Sequence, residues 1–105
     1  MTQKDLMDIL AQHSEQALEI ARKKNADYST NENPFGNLLA PLAVNIKPEH
    51  GIIVKMLDKL SRITVLLTKD PDVSDEPIER ECPDLMNYAN LLWAMIEQKK
   101  KDKAK

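Results

Sequence analysis

Apolar residues recur at helical spacing in three long segments of this 105-residue chain. Over residues 4–26, Leu6, Ile9, Leu10, His13, Ala17, Ile20 and Ala21 step by three and four, the period of an amphipathic helix. Thr2 is placed to cap its start, and Asp5, three residues on, suits the positive helix end. Over 49–69, Ile53, Met56, Leu57, Leu60, Ile63, Thr64 and Leu67 form a second stripe expected to be buried. Over 77–98, Ile78, Cys82, Leu85, Ala89, Leu92 and Ile96 form a third. Pro83 falls inside that stripe. A proline in a helix interior loses one hydrogen bond and clashes with the preceding turn, at about 3 kcal/mol, so a kink or restart is expected there.

The connections carry turn residues. Asn31, Asn33, Pro34, Gly36, Pro41 and Pro48 punctuate residues 27–48. Leu38, Leu39, Leu42, Val44 and Ile46 keep that segment apolar enough to pack down as an ordered loop, and ordered loops of such length are usually functional. Residues 70–76 read as a turn; Ser74 or Asp75 can cap the third helix and Pro77 suits its first turn. The expected fold is therefore all-α: a small antiparallel bundle of three main helices with a long ordered loop between the first two. Residues 1–98 form one domain, and 99–105, Lys-Lys-Lys-Asp-Lys-Ala-Lys, a frayed basic tail without fixed structure.

Composition narrows the function. The chain is 42% hydrophobic but 4% aromatic, so aliphatic side chains must build the core. A domain this small buries a modest share of its surface and often leans on a partner subunit, so a homo-oligomer is expected. Charged residues make up 30% yet the net charge is -2, which speaks against a binder of duplex nucleic acid. No apolar run spans a membrane, and no signal-like segment opens the chain, so a cytoplasmic protein is expected. Cys82 is the single cysteine, which leaves no internal disulfide; a buried structural thiol is the expected state.

The candidate chemistry lies in carboxylates. Glu81 and Asp84 stand three apart, one helical turn, and Tyr88 joins that side four residues later. Asp58 lies on the second helix among Lys55, Lys59 and Arg62. Acids facing one another across two helices can hold Mg²⁺ or Mn²⁺ against a phosphate chain, because Mg²⁺ binds through a few carboxylates plus water and substrate phosphates. An E-x-x-D spacing alone equally describes a solvated acidic face. Lys23 and Lys24 either favour a helix C-terminus or meet phosphates, with Asn25 and Tyr28 beside them. Tyr28 and Phe35 either anchor the loop or stack on a nucleobase. His13 and His50 are isolated from any relay, and Trp93 with the methionines suits core or subunit contact. Phosphate-binding glycine loops and nucleophile elbows are absent from the sequence.

Lys24-Asn25-x-Asp27-Tyr28, Asn33-Pro34-Phe35-x-Asn37, Gly51 through Asp58-Lys59-x-x-Arg62, Glu76, and Asp84-Leu85-x-Asn87-Tyr88-Ala89 occur in that order. This series resembles the nucleotide-modification-associated domain of phages and bacteria, related to the all-α MazG-like nucleoside triphosphate pyrophosphohydrolases. The resemblance spans roughly residues 20–95. It implies a helical oligomer, Mg²⁺ held by acids of two helices, and cleavage of a nucleoside or deoxynucleoside triphosphate to monophosphate and pyrophosphate.

On that resemblance Asp58, Glu81 and Asp84 are the expected catalytic residues and metal ligands, with Glu76 as a fourth ligand. Lys24, Lys55, Lys59 and Arg62 would meet phosphates, and Asn25, Tyr28 and Asn87 would orient base or sugar. Three positions depart from the pattern. The superfamily's first acidic motif, E-x-x-E, reads Lys55-Met56-Leu57-Asp58 here; Arg80 stands where the closer family usually has an Asp; and Pro83 interrupts the second motif. These departures suit a protein that binds a nucleotide through its cations without cutting it, or that blocks a host enzyme. A helical module that binds only protein is the third alternative.

Overall fold

The computed structural model describes residues 1–69 and 78–104. They fold as an all-α protein with three long helices: α1, Gln3–Tyr28; α2, Pro48–Leu66; and α3, Glu81–Ala104. Three short 3₁₀ turns, Gly36–Leu38, Ala40–Val44 and Ile78–Arg80, lie between them. The expected caps Ser74 and Asp75, the first-turn Pro77 and the candidate ligand Glu76 lie outside the described residues. Among the described residues, no helix is long and apolar enough to cross a membrane.

Thr2 caps α1 as expected: its hydroxyl accepts from the Asp5 amide at 3.1 Å, and the Asp5 carboxylate accepts from the Thr2 amide at 3.0 Å. Pro83 falls in the first turn of α3. The first four amides of a helix have no intrahelical acceptor, so the missing N–H costs little there. The expected break is thus a restart, from the 3₁₀ turn at Ile78–Arg80 into α3. The basic segment expected to be frayed continues α3 to Ala104, and Lys99 pairs with Glu49 at 2.8 Å.

α3 is the central helix and packs against both others. Contacts descend one helix as they climb the other: Lys59 meets Asp84, Lys55 meets Tyr88 and Glu49 meets Lys99. On the other side Lys24 meets Asp84 and Asn87 meets the Ala17 carbonyl. Both pairs are therefore antiparallel. Gly51 permits the loop's close approach to α2, since a Cβ there would stand 2.6 Å from Pro41 Cγ.

The core is small. Leu38, Ile52 and Met95 are its buried members, ringed by Phe35, Met56, Tyr88, Leu91 and Leu92. The apolar stripes are corrected accordingly. Ala17 is the buried residue of α1, while Leu6 and Leu10 are exposed. On α2 the buried residue is Ile52; Ile53, Leu57 and Leu60 face solvent, as does Leu67 just past its end. On α3 Glu81 is buried and its neighbour Cys82 exposed, so the thiol is not the structural core residue expected. α1 packs chiefly on α3, and α2 on α3 and on the loop's 3₁₀ turns, while apolar residues on their outer flanks stay exposed. The radius of gyration, 16.3 Å, exceeds the roughly 13 Å of a compact chain of this length.

Candidate functional site

Glu81 sits in the first turn of α3 at a core position, and Asp84 stands one turn further on beside it. The restart at Ile78–Arg80 places both against α2, where Lys59 reaches them. Its ammonium lies 3.0 Å from Glu81 Oε2 and 2.9 Å from Asp84 Oδ2. From α1, Lys24 Nζ donates to Asp84 Oδ1 at 2.6 Å. One carboxylate is thereby gripped by cations from two different helices. Charge-assisted contacts of this kind are shorter and stronger than neutral ones.

Burial and charge compete here, and charge prevails. Burial pushes the Asp84 carboxyl up, but Lys24 and Lys59 outweigh it and hold the group below the usual carboxylate range. Burial pulls the Lys59 ammonium down, but Asp84 and Glu81 outweigh it and raise it above its ordinary value. Glu81 Oε2 is buried, and the Lys59 ammonium 3.0 Å away is its partner.

Asp84 also borders a cavity of about 740 Å³ between α1, α3, the loop and the edge of α2. That volume falls in the range of small-molecule sites, about 300–1,000 Å³. Six residues expected to contact substrate or metal line it together: Lys24, Asn25, Tyr28, Lys55, Asp84 and Asn87. Two of the amides are fixed by the scaffold. Asn25 donates to the Pro34 carbonyl at 2.8 Å, and Asn87 donates to the Ala17 carbonyl at 2.9 Å. Lys55 stands over the Tyr88 ring, 5.8 Å from its centre, close enough for a cation–π contact.

Asn31, Asn37 and Arg22 also line the cavity; Asn31 is expected as a turn residue and Asn37 belongs to the resemblance series, but none of the three is an expected site residue. The asparagines of the loop are the signal for Asn31 and Asn37, since helical periodicity says nothing about a loop's inward face; Arg22, on α1, has none. The Asn37 side chain is held by the Ser29 hydroxyl at 2.9 Å. Arg22 is engaged with Glu15 and Glu19 on its own helix.

Asp58 does not join the other two acids. Its carboxylate is 66% exposed and faces Arg62, 3.7 Å away, which in turn stands 3.8 Å from Glu81 Oε1. Neither Asp58 nor Arg62 lines the cavity. Among the described residues, no three acidic, histidine or cysteine side chains are grouped to hold a metal ion. As they stand, the donors do not fit a Mg²⁺ cage: two carboxylates converge, and a lysine ammonium takes the place between them.

Comparisons with protein-family models, with curated proteins and with solved structures return no match to this chain. The fold and the cavity define an all-α protein with a pocket of mostly apolar walls that carries lysines, asparagines and one aspartate.

Proposed function

We propose that this protein binds a nucleotide in the cavity between α1 and α3 without requiring a divalent metal. The carrying observation is Lys59, an internal cation set between Glu81 and Asp84 where the resemblance would place Mg²⁺. With those carboxylates neutralised from within, Lys24 and Lys55 meet the phosphate at the cavity wall. Asn25, Asn87 and Tyr28 offer hydrogen-bond edges and a ring for base and sugar. The departures at Lys55, Arg80 and Pro83 from the acidic motifs point the same way.

A second reading rests on a different observation. Glu81 Oε2 is buried and held by a single cation, the Lys59 ammonium, at poor hydrogen-bond geometry. A carboxylate oxygen left so is suited to a metal, and displacement of Lys59 by a metal–nucleotide complex would restore the pyrophosphohydrolase implied by the resemblance. Asp84, with Glu81, would then be the residue to test.

Calorimetry with a nucleotide panel separates the two. Binding in the presence of a chelator, weakened by Lys55→Ala, supports the metal-free site. Strict dependence on Mg²⁺ or Mn²⁺, with pyrophosphate released faster than by an Asp84→Ala variant, transfers the assignment to the enzyme.

The proposal includes a homo-oligomer. Val54, Leu57, Leu60 and Val65 leave α2 with an exposed apolar flank, the kind of surface that marks an interaction site. Light scattering is expected to show more than one copy per particle. A monomer at micromolar concentration would direct that flank to a different protein.

A further inference from the structure

The charges around the cavity restrict how many phosphates its ligand can carry; the argument rests on the nucleotide reading above. Lys24, Lys55 and Asp84 stand at the cavity wall, while Lys59 lies behind Asp84, held between it and Glu81. Arg22, also at the cavity wall, is matched by Glu15 and Glu19. Among the described residues Lys55 has no carboxylate partner, and its ammonium is set over the Tyr88 ring. Lys24 shares its ammonium with Asp84 while its side chain stays half exposed, so it can turn toward an incoming anion. Lys59 is sequestered between the two acids and is not free to do so.

Two reachable ammoniums beside one carboxylate suit a single phosphate monoester, which carries about −1.5 to −2 at neutral pH. Each further phosphate would add negative charge beside Asp84, where Lys59 is taken up by Asp84 and Glu81 and Arg22 by Glu15 and Glu19. In a partly enclosed cavity that repulsion is weakly screened. The amides complete the picture: with one N–H each committed to a backbone carbonyl, Asn25 and Asn87 keep a fixed donor and acceptor for the neutral part of the ligand.

We infer that the cavity takes a nucleoside monophosphate, its one phosphate held by Lys55 and Lys24. The polyphosphate forms of the same nucleoside are the poorer ligands when no metal is present.

The test is calorimetry on the full chain in a chelator, titrating each common nucleoside and deoxynucleoside with its mono-, di- and triphosphate. For the preferred base, the monophosphate is expected to bind about tenfold tighter than both the nucleoside and the triphosphate, one charge-assisted contact's worth. Lys55→Gln should cost about fivefold or more for the monophosphate and leave the bare nucleoside unchanged. Circular dichroism of that variant confirms that the exposed substitution leaves the helices intact. Affinity that stays level or rises from mono- to triphosphate overturns this inference while leaving a nucleotide site in place. Absence of binding by every nucleotide removes both.

Discussion

Lys59 on α2 and Asp84 on α3 meet at 2.9 Å, with both side chains less than a fifth exposed. Through Asp84 the contact extends to Lys24 on α1, so a single carboxylate ties the three long helices together. In a bundle with few buried apolar residues, this polar junction also decides how the outer helices sit on the central one.

Replacing the cation tests that role. Lys59→Met leaves Glu81 and Asp84 facing each other with the shared ammonium gone. Breaking a fully buried ion pair costs about 3–5 kcal/mol; Lys59 and Asp84 are partly exposed and Lys24 still meets Asp84, so a loss of about 1–3 kcal/mol is expected, part of it recovered by the apolar stem of Met. Urea unfolding should show the loss. The same variant should gain a rise in Tm with Mn²⁺ that the wild type lacks, because ligand binding to the native state raises apparent stability. Unchanged stability together with no response to Mn²⁺ would remove the junction from the account.

The junction also sets a pH profile. Lys24 and Lys59 hold Asp84 below the usual carboxylate range against the upward push of burial. The unfolded chain then binds the proton more readily, so this contribution is complete above the unfolded pKa and lost as pH falls through the folded one. Glu49, lowered by its hydrogen bond to Lys99, adds to the same acid limb. Lys59 runs the other way: its raised pKa gives stability that is complete below the ordinary lysine value and lost as pH rises through the folded value. Urea midpoints should therefore form a plateau through neutral pH that falls at both extremes. Asp84→Asn should shrink the acid limb, with the Glu49 share remaining.

Gly51 offers a test of loop packing. An alanine there gains about 1 kcal/mol of helix propensity, but its Cβ would stand 2.6 Å from the Pro41 ring. Overpacking costs about 1–3 kcal/mol, so Gly51→Ala should destabilise on balance. Adding Pro41→Ala should make Gly51→Ala neutral or favourable. If Gly51→Ala stabilises the chain with Pro41 in place, the loop does not lie against α2 as described.

Cys82 should react with an aromatic disulfide reagent in native buffer at a rate close to that of a small free thiol. Its side chain is exposed, and its thiol donates to the Ile78 carbonyl at 3.8 Å. Protection lifted only by denaturant would return the thiol to the core and displace Glu81 from it.

Much of the local structure was legible in advance. The three helical segments, the Thr2–Asp5 cap and the loop between α1 and α2 follow from spacing and from turn residues, because these are properties of neighbours in sequence. The candidate residues Lys24, Asn25, Tyr28, Lys55, Asp84 and Asn87 also meet at one cavity. Their common cavity rests on the helix order and its antiparallel return.

Tertiary contacts decided the rest. Periodicity finds an apolar stripe but not which flank meets a neighbour, so Ile52 is buried where Ile53 and Leu57 were expected. An i, i+3 pair of acids is the same in sequence whether it faces water, a metal or a lysine. Only the register between α2 and α3 placed the Lys59 ammonium between Glu81 and Asp84 and left Asp58 outside with Arg62. Helix formation depends on local backbone and side-chain preferences, whereas the partner of a charge depends on how distant surfaces pack, and the order of residues alone does not contain that geometry.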